Sequence, residues 1–177
     1  QRQMWLDRGI GEWALEQHKL GFRPKEDREA LTIPYLRDDR IVSLQYRLIC
    51  PTEIGKYRFL KGMRQRWFLP WPHEDLSESK VVLVAEGAIK AMVLFQTVGH
   101  MSYQGEGITI AATPSKLVPK HLFPELEAAE RVIWLLDPDA YVPDRNGDIA
   151  VKRNIEMAGW GKSLIVQPHG KVDDLIN

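Results

Sequence analysis

Cysteine is almost absent from this chain: among 177 residues only Cys50 carries a thiol. A single thiol excludes an internal disulfide and any zinc site built on several cysteines. The five histidines, His18, His73, His100, His121 and His169, lack the paired spacing that zinc ligands use. No apolar run approaches the ~18 residues of a membrane-spanning helix, and no signal peptide leads the sequence. Net charge is lacking too, at a formal +0, which argues against a general nucleic-acid coat. A glycine-rich phosphate loop is missing, which counts against a nucleotide-binding regulatory domain. What remains is 44% apolar, enough for a full core and for an expected soluble, cytoplasmic protein. The length suits one ordinary domain or two small ones.

Against that background two segments stand out. Val81-Val82-Leu83-Val84-Ala85 runs into Glu86-Gly87, and Val132-Ile133-Trp134-Leu135-Leu136 runs into Asp137-Pro138-Asp139. Short apolar runs bounded by turn residues read as strands buried on both faces, as in a parallel sheet. Ligands of open α/β sheets collect beyond the carboxyl ends of such strands. Three carboxylates meeting there would repel, each pair by about 4 kcal/mol at ~4 Å and an effective dielectric of 20. An ionised cluster therefore calls for a divalent cation, and oxygen-only ligands favour Mg²⁺ or Mn²⁺. Each motif alone has a plainer reading. Glu86 could serve only the dipole of the following helix, and the aspartates could cap a turn. The two acidic strand ends together, about fifty residues apart, point to metal-dependent phosphate chemistry.

Charge is unevenly spread. Between positions 47 and 66, Arg47, Lys56, Arg58, Lys61, Arg64 and Arg66 face a single acid, Glu53, whereas from Val81 onward acids outnumber bases. A basic half beside an acidic metal pocket suits an enzyme gripping a polyanion; a solvated cationic face is the alternative. Apolar positions over 5–20, interrupted by Gly9 and Gly11, predict one short helix or two. Residues 31–49 predict a hairpin around the turn Arg37-Asp38-Asp39-Arg40. In its second strand the polar Ser43, Gln45 and Arg47 alternate with apolar neighbours, as in a half-exposed strand. Lys56–Leu60 can add another strand. Trp67-Phe68-Leu69-Pro70-Trp71-Pro72 reads as an extended connector whose aromatics could stack on bases or seal a junction. A polar linker over 74–80 places the domain boundary there, giving 1–79 and 80–177. Beyond it, strands at 81–85, 107–112, 132–136 and 163–167 alternate with helices at 88–98, 119–130 and 149–158. That order implies parallel strands with right-handed crossovers.

Strand–Glu86–Gly87–helix, then strand–Asp137-x-Asp139, then a late Gly170-Lys171-Val172-Asp173-Asp174 resembles the Toprim domain of bacterial-type primases, type IA and II topoisomerases and some nucleases. The preceding residues narrow the choice. Trp5-Leu6-Asp7-Arg8-Gly9-Ile10 with Leu20-Gly21-Phe22 resembles the start of the RNA-polymerase core of bacterial-type DNA primases. Ile33-Pro34-Tyr35, the turn, Ile41–Arg47 and Lys56-Tyr57 are similar to further motifs of that family. The sequence departs from the pattern at Lys90, where many primases carry an acid, at Val172-Asp173-Asp174, where bacterial enzymes read Asp-Pro-Asp, and over the long polar stretch from Tyr141 to Asp148.

The resemblance implies an α/β fold: a Toprim-like parallel sheet flanked by helices, preceded by a small mixed α+β subdomain. It implies a divergent phage- or plasmid-like primase core making short RNA primers on single-stranded DNA from NTPs. Glu86, Asp137 and Asp139 would be catalytic and would hold Mg²⁺ or Mn²⁺, with Asp173 or Asp174 as helper. Arg47, Lys56, Arg58, Lys61, Arg64, Arg66 and Lys90 would contact nucleic acid or NTP. The expected zinc module and helicase segment are missing, which suggests a catalytic-core fragment whose replicative helicase partner binds through other segments. A Toprim nuclease or topoisomerase fragment, and a catalytically inactive DNA-binding module of a primase–helicase, are the alternatives.

Overall fold

Glycine and paired aspartates set the chain's first turns, and β-branched and aromatic runs set its strands. The computed structural model describes residues 1–24, 29–52, 55–99, 102–103 and 105–168. Its contacts divide the chain into two compact units, Gln1–Arg66 and Trp67–Asn177.

In the first unit the opening apolar stretch forms two helices, α1 (Arg2–Leu6) and α2 (Glu12–Gln17). Gly9, at φ +74°, separates them, a conformation glycine adopts without penalty. Trp5, Ile10 and Ala14 are buried, whereas Trp13 is 42% exposed with its ring edge-on to His18. A four-stranded antiparallel sheet follows in the order β1 (Gly21–Arg23), β2 (Ala30–Arg37), β3 (Arg40–Thr52), β4 (Gly55–Phe59). The β2–β3 hairpin closes on Asp38 and Asp39, both at positive φ (47° and 63°). Two such residues make the turn whose twist matches the flanking strands, and aspartate tolerates the left-handed region better than most side chains.

The polarity of β3 is opposite to the sequence expectation. Ser43, Gln45 and Arg47 are buried, as is Leu48, while Ile41 and Val42 are exposed. Each buried polar group has a partner that a pattern of apolar and polar letters does not contain. Ser43 Oγ donates to the Arg64 carbonyl at 2.8 Å, Tyr35 Oη donates to Gln45 Oε1 at 3.4 Å, and Arg47 Nε donates to Tyr57 Oη at 3.2 Å. Satisfied in this way, polar side chains can occupy an inner face without the desolvation cost that normally expels them.

The second unit carries a five-stranded sheet in the order β6 (Ser102–Tyr103), β7 (Glu106–Thr113), β5 (Val81–Glu86), β8 (Arg131–Leu135), β9 (Ser163–Ile165). The last four run parallel; β6 pairs antiparallel with β7. Helices α3 (Ala88–Val98) and α4 (Ala150–Ala158) lie in the connections. The helix expected over 119–130 is instead a 3₁₀ helix at Lys120–Leu126. Pro124 lies inside it, and a proline there removes an N–H and crowds the preceding turn, so an α-helix cannot propagate. The stretch beginning at Trp67 is not a free connector. Trp67, Phe68 and Leu69 are buried; Phe68 exchanges both backbone bonds with Ala112, and Trp67 Nε1 donates to the Leu122 carbonyl at 3.0 Å. Those aromatics are therefore unavailable for stacking on bases. Trp67, Leu122, Leu126, Trp134 and Ile155 belong to one hydrophobic cluster, which anchors β5 and β8 from one side and fixes where their ends emerge.

Candidate metal centre

The chain path through this sheet selects one crevice. From β5 the chain passes to β7 on one side, then returns to β8 on the other and continues to β9. Connections leave in opposite directions on either side of the β5–β8 gap, so the carboxyl ends of these two strands open onto a cleft. β5 ends on Glu86 and β8 ends just before Asp137. Gly87 follows at φ +84°, where a side chain would be strained, and caps α3; its N–H donates to the Thr113 carbonyl at 2.9 Å. Asp137 caps a 3₁₀ turn, Pro138–Ala140, with proline at its start. Asp139 lies within that turn.

Carboxylate oxygens of Glu86, Asp137 and Asp139 all lie within 4.8 Å of one another. Asp137 is only 9% exposed, while Asp139 reaches solvent. Two lysines enter the group: Lys90, on the first turn of α3, contacts Asp137 Oδ2, and Lys116 Nζ meets Asp139 Oδ2 at 3.0 Å. A cation at a helix N-terminus opposes the helix dipole, so the carboxylates rather than the helix account for Lys90 being there. Glu86 Oε2 and Asp137 Oδ1 are buried and lack a hydrogen-bond partner. Burial, and next the Asp137 carboxylate, push Glu86 up to about 7 against the opposing pull of Lys90. Orphaned buried carboxylate oxygens are costly unless something else takes them. An all-oxygen donor set facing partial solvent fits Mg²⁺ or Mn²⁺.

Supporting residues that sequence reasoning missed hold this arrangement. Asn154 of α4 is fully buried; its Nδ2 donates to the Lys116 carbonyl at 2.8 Å and its Oδ1 accepts from Val118 N at 3.0 Å. Lys116 is thereby fixed in the loop after β7, at the same sheet edge as the acids. Tyr141 Oη accepts from Leu136 N at 3.1 Å and lies 3.1 Å from the Trp134 carbonyl and 2.9 Å from that of Val166, pinning the end of β8. A polar residue in a strand-end loop was the available signal for Lys116. Asn154 and Tyr141 carry none without the fold.

The other residues expected to contact nucleic acid fall in the first unit. Arg47 is 6% exposed and its guanidinium lies 5.9 Å from the Tyr57 ring centroid. Lys56, Lys61, Arg64 and Arg66 are exposed and Arg58 is partly so; Arg58 pairs across the ladder with Tyr46, over whose ring the Arg23 guanidinium stacks at 4.5 Å. Asp173 and Asp174 lie outside the described residues.

The fold, an antiparallel sheet followed by a parallel one with acids at its carboxyl edge, is similar to that of solved primase structures. Among solved structures the chain is similar to the Aquifex aeolicus primase (zinc-binding and RNA polymerase domains), with a TM-score of 0.71 and 15% identity over 99% of this chain and 51% of that one. It is also similar to the primase fragment of the bacteriophage T7 primase–helicase, with a TM-score of 0.65 and 15% identity over 95% of this chain and 65% of that one. A third structure holds T7 lagging-strand DNA polymerase with primase domains of two gp4 subunits bound to an RNA/DNA hybrid and dTTP; there the TM-score is 0.66 and the identity 16%, over 96% of this chain and 81% of that one. This chain thus spans about half the length of the Aquifex structure. No family model matches the sequence, and no curated protein matches it.

Proposed function

We propose that this chain is the catalytic core of a DNA primase, joining NTPs into short RNA primers on a single-stranded DNA template. The observation that carries the proposal is the Glu86–Asp137–Asp139 cluster, with buried oxygens lacking partners, at the switch point of a primase-like fold. Glu86, Asp137 and Asp139 would hold Mg²⁺ or Mn²⁺, with Asp173 or Asp174 as a further donor. Such an ion, when bound, lowers the pKa of the attacking hydroxyl and neutralises charge on the triphosphate.

The protein's own groups supply the rest. The 3′-hydroxyl oxygen of one nucleotide bonds to the α-phosphorus of the next, the bond to the β-phosphate bridging oxygen breaks, and pyrophosphate leaves. As an alternative to holding the ion, Glu86, whose carboxyl is pushed up to about 7 by burial, would accept the hydroxyl proton. Lys116, partly exposed beside Asp139, can offset charge on the leaving phosphates. Lys56, Arg58, Lys61, Arg64 and Arg66 would contact template or NTP phosphates, which positions them without reading sequence. Arg47, on the buried face, supports that surface through Tyr57. The Toprim assignment, a phage or plasmid origin and a replicative helicase partner belong to the same reading.

The test is a denaturing gel of labelled products formed from single-stranded DNA, NTPs and Mg²⁺ or Mn²⁺. Wild type yields short oligoribonucleotides and the Asp137→Asn, Asp139→Asn double variant yields none. Shortened DNA without new product identifies a nuclease instead. One observation favours a second reading, an inactive DNA-binding module: Lys90 already occupies Asp137. In that case Asp137→Ala leaves DNA binding intact and neither protein makes primers.

A further inference from the structure

We propose that Lys90 stands in for one metal ion, so that this centre takes a single divalent cation rather than a pair. The inference deepens the reading of Glu86, Asp137 and Asp139 as ion ligands and rests on it. Two-ion sites that handle phosphates place their ions roughly 3.5–4 Å apart, a separation spanned by a carboxylate giving one oxygen to each. Asp137 is the one buried acid of the three, and its two oxygens are in different states. Oδ2 is taken by the Lys90 ammonium, and Oδ1 is buried without a partner. Glu86 is divided similarly, with Oε2 orphaned while its carboxylate accepts a backbone hydrogen bond from Asp137. Asp139 gives Oδ2 to Lys116. One oxygen from each of the three acids lies within 4.8 Å of the other two.

Charge balance agrees. Counted over the described groups, three carboxylates and two ammonium groups leave a net −1 when all are ionised, and a further donor at Asp173 or Asp174 would lower each total that follows by one. One divalent ion brings this to +1, which suits a centre awaiting a polyanionic substrate. A second would make it +3 among partly buried groups, where like charges repel by several kcal/mol per pair. Lys90 cannot readily withdraw, because its side chain is only 14% exposed and Asp137 only 12% at the side chain.

The inference fixes the number of ions, which electron paramagnetic resonance of Mn²⁺ titrated into the protein measures directly. Wild type should take up one Mn²⁺ per chain, and Asp137→Asn should abolish that uptake. Lys90→Asp, which replaces the ammonium by a carboxylate, should bind two. Lys90→Met, which keeps the volume and removes the charge, should bind its first ion at least about tenfold more tightly; Lys90→Arg should behave as wild type. Circular dichroism melts identify any variant that fails to fold, and the wild-type stoichiometry needs no variant. Two Asp137-dependent ions in wild type overturn the role given to Lys90 and leave the proposed function standing. No Asp137-dependent uptake in wild type or Lys90→Met overturns both. Unchanged stoichiometry in folded Lys90→Asp overturns the role of Lys90 alone.

Discussion

The two sheets use charged side chains in opposite ways. In the parallel sheet every acid of the candidate centre sits at a strand end or just past one, where the side chain meets the cleft. In the antiparallel sheet Arg47, Lys56 and Arg58 lie along the strands, where alternation decides which face each takes. An end position gives a residue one destination. A mid-strand position gives it two, and its partners choose between them. Arg47 illustrates the second case: the ladder pairs it with Tyr57, and it is buried against that ring rather than offered to solvent.

The sharpest way to test this contrast is at Asp137. Asp137→Asn should lower primer synthesis by roughly 10³-fold, the upper scale for losing one electrostatic contact to a transition state, while circular dichroism shows the fold retained. A fall of only a few-fold would remove Asp137 from the chemistry. Asn154→Ala should come next, costing about 2 kcal/mol in urea unfolding because Val118 N–H loses a buried acceptor, and Lys116 should lose its fixed place. A variant as stable as wild type would mean that the loop finds another partner. Within the first sheet, Arg47→Met should reduce stability by about 1 kcal/mol, the value of a typical hydrogen bond to a neutral partner. Arg58→Met should leave stability unchanged and flatten the salt dependence of single-stranded DNA binding by about 0.7, one phosphate contact. If the two variants behave alike, the distinction between the sheet's faces fails.

The smallest expected effect is a pH dependence. Burial raises Glu86 from its ordinary 4.5 to about 7, and Glu74 likewise. A raised carboxyl means the folded chain binds the proton more tightly than the unfolded one. The contribution is therefore complete below about 4.5 and lost as pH rises through about 7. In chelator, melting temperature should decline across that window, and Glu86→Gln should remove part of the decline. Parallel profiles would show that Glu86 does not titrate there. Mn²⁺ affinity should weaken as pH drops below about 7, since binding must then expel a proton.

Legibility in the sequence follows the same contrast. Glu86, Asp137 and the strands that carry them could be read from apolar runs ending in acid, because burial on both faces leaves a continuous signature. The Asp38–Asp39 turn was legible because few residues adopt positive φ. The face of β3 was not, since Ser43, Gln45 and Arg47 owe their burial to partners at Arg64, Tyr35 and Tyr57. The 3₁₀ character of Lys120–Leu126, in place of a helix over 119–130, follows from Pro124. Lys90 was visible as a departure from a resembling family, but its contact with Asp137 depends on β5 and β8 being neighbours.

That adjacency has a kinetic consequence. Glu86 and Asp137 are far apart in sequence and meet only once β8 has paired beside β5. Contacts of such separation require a long loop to close before they return any stabilisation. An ion captured by these oxygens recognises only the chain in which β8 already lies beside β5. Its added stability should appear as slower unfolding with little change in the folding rate, so that loading the centre lengthens the lifetime of the assembled sheet without hastening its assembly.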